Sequence, residues 1–71
     1  MTTSEIVMER ALALAAEDTE REAAVAALLE SADGRRVSVV LARQHLLDDQ
    51  SETAARAVEL LDEVIVRLPE V

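Results

Sequence analysis

The chain has 71 residues and sets fifteen acids against seven arginines, with no lysine, no cysteine and no Phe, Tyr or Trp. Its net charge of −8 argues against direct nucleic-acid binding, which needs cations to displace counterions, and the missing aromatics remove the stacking platforms used for single strands. No run approaches the ~18 apolar residues of a membrane span, and no basic, apolar leader opens the sequence, so a cytoplasmic protein without a membrane partner is expected.

The length allows one domain, residues 1–71. A chain of this size buries only about 60% of the surface its unfolded form exposes. The apolar fraction is 51%, but thirteen of those residues are alanine, and the weight falls on ten Leu, nine Val and two Ile. No disulfide can staple so light a core, so association with a second copy or another protein is expected to support it. The absence of Lys and Asn beside abundant Ala, Arg and Val suggests a GC-rich bacterial or phage genome.

In chain order, the first element is a helix over about 4–17. Thr2 with Glu5 three residues later is a capping-box pattern, and Val7, Met8, Ala11, Leu12, Leu14 and Ala15 fall on one broad face. Polar "EDTERE" follows, with Thr19 and Glu22 repeating the capping box. A second helix over about 20–32 carries Val25, Leu28, Leu29 and Ala32, and Gly34 takes the usual glycine stop position. The spacing from Val7 to Val25 also permits one helix from 4 to 32, but the polar interruption favours two.

The third segment, about 37–48, is apolar on two sides. Val37, Val40, Leu41 and Leu47 share one face, while Val39 and Leu46 stand on another. Such a helix is central in its fold or touches something outside it. "VSVVL" is β-branched enough for a strand, but no other segment offers it a partner, so a helix is expected. The fourth helix, about 52–68, is the clearest. Ser51 or Asp49 caps it, Ala54, Ala57, Val58, Leu61, Val64, Ile65 and Leu68 lie within an arc of roughly 120°, and Pro69 ends it. The expected fold class is all-α, a small bundle of three or four short helices with the third central.

Chemistry is sparse. His45 with Asp48 and Asp49 is one imidazole beside two acids, fewer ligands than a structural metal site normally uses. Glu59, Asp62 and Glu63 lie opposite the apolar stripe of the last helix and read as a solvated face. Size, charge and helix count are similar to those of the acyl carrier proteins, whose prosthetic arm attaches to the serine of an Asp-Ser-Leu motif. Here Gln50 precedes Ser51 and Glu52 follows it, so Ser51 reads as a plain N-cap. "RRVSV" resembles a basophilic kinase substrate, but Ser38 is sufficiently explained as a helix-start residue. No catalytic residue, cofactor or metal is expected.

Charge is distributed unevenly. Residues 1–34 carry −6, residues 35–47 carry +3 and residues 48–71 carry −5. Two accounts compete for this basic island. Arg35, Arg36 and Arg43 could pair with acids of the flanking helices, or Arg43 with Val39 and Leu46 could form an apolar contact stripe with a charged centre and Arg35 and Arg36 at its rim. The expected function is a non-enzymatic protein–protein interaction module, self-associating as a homodimer or docking on a protein partner, with those five residues as the contact set. The alternative is an acidic mimic of nucleic acid, in the manner of an inhibitor or antitoxin.

Overall fold

Thr2 opens the first helix, α1 (Thr3–Ala16), where its Oγ1 accepts a hydrogen bond from the Glu5 backbone N–H at 3.3 Å. The computed structural model describes residues 2–68. Three further helices follow, α2 (Arg21–Ala32), α3 (Arg36–Leu47) and α4 (Glu52–Arg67), and among the described residues there is no strand. The all-α bundle is therefore observed, with four separate helices. None is long and apolar enough to cross a membrane among the described residues.

The break between α1 and α2 has a specific cause. Asp18 takes a left-handed conformation at φ 56°, Thr19 N–H donates to the Leu14 carbonyl at 3.2 Å and Asp18 N–H to that of Ala15 at 3.3 Å. This is the Schellman pattern, with aspartate where glycine is commoner. It uses the backbone of Thr19 to close α1, so the capping box expected from Thr19 and Glu22 does not form. Glu20 is the N-cap of α2 and makes no side-chain capping bond, while the Glu22 carboxylate accepts from Arg67 of α4 at 3.0 and 3.4 Å. At the other end of α2, Asp33 and Gly34 both have positive φ, 51° and 72°, and turn the chain into α3.

Ser51 caps α4 by accepting from Ala54 N–H at 3.1 Å, and Asp49 in turn accepts from Ser51 N–H at 2.9 Å. Both cap candidates are thus used, one behind the other. Pro69, expected to stop this helix, lies outside the described residues.

The buried set is built from alanine, valine and leucine. Each helix brings at least one buried alanine: Ala11 and Ala15, Ala24 and Ala32, Ala42, and Ala54 and Ala57. The bulk between them comes chiefly from Val7, Val25, Leu28, Val39, Leu61 and Val64. α1 and α4 pack against each other and against both remaining helices, whereas α2 and α3 scarcely meet. The central pair is therefore α1 with α4, and α3 lies at one side, contrary to the expectation that it is central. The apolar stripe of α4 does match: Ala54, Ala57, Leu61, Val64 and Leu68 are buried, with Val58 and Ile65 packed against them.

Two predictions follow from this geometry. A methyl group on Gly34 would meet no atom within 4 Å, so Gly34→Ala tests backbone conformation alone and is expected to lower unfolding free energy in urea by about 1 kcal/mol. The second concerns pH. Hydrogen bonds from Arg67, and then its charge, hold the Glu22 carboxyl below the ordinary value of 4.5. The depressed folded-state value means that the contact stabilises the fold above the ordinary carboxylate range and is lost as pH falls through the lowered value. Titration of the Glu22 carboxyl by NMR should give a midpoint below 4.5, and Arg67→Ala should bring it back up.

Candidate protein-contact surface on helix α3

The periodicity of α3 places Val39, Ala42 and Leu46 on one side, at spacings of three and four residues. That side faces α1 and α4. Val39 and Ala42 are fully buried and Leu46 is 3% exposed, all within the single core cluster. This overturns the expectation that Val39 and Leu46 form an outer contact stripe, because both are already spent on the chain's own core. Ala42, unremarked in the sequence pattern, completes the inward face by letting the helix approach its neighbours closely.

The second apolar side of α3 consequently points outward. Val37 is 72% exposed, Leu47 54% and Leu41 46%, and Val40 is half-buried beside them. Gln44 and Asp48 fall in the middle of this face at helical spacing from Val37 and Leu41, and both are exposed. These aliphatic residues are the ones that the five expected contact residues left out. A signal for them was present: a face whose centre is occupied by Gln44 and Asp48 is poorly suited to a core, whereas the Val39–Ala42–Leu46 face has no polar residue at its centre.

The arginines divide between the two accounts. Arg43 donates through Nε to the Asp62 carboxylate of α4, which ties α3 to its neighbour and fits the neutralising account. With its side chain 34% exposed and that of Asp62 52%, the pair is screened by water and contributes on the order of 0–1 kcal/mol. Arg36 is half-buried and engaged within the chain. Arg35 is the exposed N-cap of α3 and makes no side-chain capping bond.

Charge along α3 runs against its own dipole. The positive N-terminal end carries Arg35 and Arg36 with no acid in the first turn, and the negative C-terminal end runs into Asp48 and Asp49. Anions at the start and cations at the end are the favourable placement, and the only basic residue type in the last turn is His45. Two shallow hollows mark the ends of the face. One is lined by Gly34, Arg35, Arg36, Val37 and Ser38, and the other by Leu41, Gln44, His45, Leu47 and Asp48. The surface thus combines exposed aliphatic side chains with cations at one end and carboxylates at the other. Among the described residues, no group of three or more His, Cys, Asp or Glu is arranged to hold a metal ion.

Comparison with protein-family models, with curated proteins and with solved structures finds no match to this chain.

The inward and outward sides of α3 can be separated with adjacent residues. Leu46→Ala should lower stability by about 2–5 kcal/mol, the range for removing a buried leucine side chain. Leu47→Ala should stay within about 0.5 kcal/mol, as expected of an exposed position. Urea unfolding of the two variants at low protein concentration measures both.

Proposed function

We propose that this chain is a non-enzymatic protein–protein interaction module of the cytoplasm, an adaptor, docking domain or small regulator, that engages proteins through the outward face of α3. The observation that carries this reading is the exposure of Val37, Leu41 and Leu47 on one helix whose inward side is already filled by Val39, Ala42 and Leu46. Exposed aliphatics scattered singly need no explanation, but several on one helix face, with Arg35, Gln44, His45 and Asp48 beside them, have the make-up of a small interface. Covering them with a partner removes apolar surface from water, worth roughly 25 cal/mol per Å² before the costs of association.

Two observations favour this reading over its rivals. His45, the single imidazole, stands exposed in a shallow hollow with Leu41 and Leu47, a solvated setting ill suited to general-base catalysis. For a nucleic-acid mimic, carboxylates must be free to meet a basic groove. Here four of the fifteen acids, Glu22, Glu52, Asp62 and Glu63, lie within ion-pair reach of an arginine of the same chain, and the exposed Arg35 interrupts the acidic surface.

A photo-crosslinking side chain substituted for Leu41 should yield protein adducts in cells, whereas the same group substituted for exposed Ala23 on α2 should not. Adding Val37→Ser should reduce the adducts at position 41 about fivefold or more, in keeping with the loss of an aliphatic anchor. Equal labelling at the two positions, or none at position 41, would overturn the reading.

A further inference from the structure

The outward face of α3 is complementary to itself when one copy is turned end over end. Val37 and Leu47 lie at the two ends of the exposed stripe, roughly 15 Å apart along the axis at 1.5 Å per residue. Ala42 is midway between them. A twofold axis at the level of Ala42 therefore brings Val37 opposite the partner's Leu47 and sets the Leu41 side chains of both copies beside the axis. Val40 then lies across from the partner's Gln44. The same operation brings the Arg35–Arg36 end of one helix to the Asp48–Asp49 end of the other. The charges that oppose the dipole of their own helix are thereby set against opposite charges at both ends of the seam, and the two helix dipoles lie antiparallel.

Net charge narrows the choice of occupant. Residues 1–34 and 48–71 carry −6 and −5, so most approaches between two copies bring acid against acid. The segment 35–47, at +3, is where that repulsion is offset. A uniformly acidic partner would meet repulsion at the Asp48–Asp49 end, and a basic one at the Arg35–Arg36 end. A second copy meets neither.

We propose that a second copy of this chain docks on the outward face of α3, antiparallel about the level of Ala42, to form a reversible homodimer. This rests on the reading of that face as a contact surface and goes further in naming its occupant and register. A seam of one 12-residue helix from each copy falls at the small end of protein interfaces, so the dissociation constant is expected on the order of 10–100 µM.

Sedimentation equilibrium of the full chain from low micromolar to millimolar concentration tests the proposal, with Arg35→Glu, with Asp49→Arg, which that register sets across from residue 35, and with the two combined. Each single swap should weaken the dimer about tenfold by placing like charges across the seam, and the double swap should restore it. Arg35→Glu puts an anion at the start of α3 and should leave the monomer no less stable, whereas Asp49→Arg gives up the acceptor for Ser51 N–H, so urea unfolding at low concentration separates loss of that cap from loss of the dimer. A wild-type chain that stays monomeric to millimolar concentration would overturn the proposal, as would a dimer whose double swap is no tighter than either single one. Failure here leaves the contact-surface reading standing if the crosslinker at position 41 still captures a different protein. If position 41 captures nothing, both fall.

Discussion

The structure depends on helices that approach closely enough for a core of small aliphatic side chains to fill the space between them. Without a single aromatic residue, no side chain here can bridge a wide gap. Buried alanines on all four helices draw the backbones together, and Val7, Val25, Leu28, Val39, Leu61 and Val64 supply the bulk. Interiors packed in this way tolerate few voids, so every helix has to contribute a continuous small-residue side to the seam. α1 and α4 do so in the middle of the bundle, and α2 and α3 lean on them from opposite sides. A helix in that outer position is needed for one side only. For α3 that side is Val39, Ala42 and Leu46, which leaves the aliphatics of its other side outside the core.

Charge is managed by the same helices. Arg67 at the end of α4 reaches Glu22 of α2 and Glu63 of its own helix, Arg56 reaches Glu52, and Asp62 receives Arg43 of α3. These contacts are exposed and individually weak, but they moderate the self-repulsion of a chain with net charge −8. α4 is thus both the most regular amphipathic helix and the element that ties α2 and α3 to the bundle by ion pairs. The ends of α3 are different. Arg35 and Asp48 stand where the helix dipole disfavours them, and this departure from local preference coincides with the exposed aliphatic face. The proposed docking surface draws on both features at once.

Much of the local structure was legible in the sequence because it rests on short-range chemistry. The Thr2 cap, the Ser51 cap and the positive φ at Gly34 are decided by neighbours a few residues away, and the helix boundaries expected from them lie within one residue of those observed. The Thr19–Glu22 capping box shows where such reasoning stops. Locally it is a sound pattern, but Thr19 closes the preceding helix and the Glu22 carboxylate is drawn to Arg67, forty-five residues further along the chain. No window around residue 20 contains that competitor.

By itself, the sequence determined that this chain is a bundle of three or four short helices, their approximate ends, and which side of α4 is inside. Those features follow from periodicity and capping, in which the competing states differ locally. The tertiary structure decided which side of α3 is buried and where α3 lies. Both of its sides are apolar, and only Gln44 and Asp48 at the centre of one mark it locally as the poorer core face. The flat side of Val39, Ala42 and Leu46 is the one received by α1 and α4, and Arg43 meets Asp62 as it docks. That local bias becomes a choice only when three helices are fitted together at once. The choice turns Val37, Leu41 and Leu47 from plausible core residues into the exposed surface on which the proposed function rests.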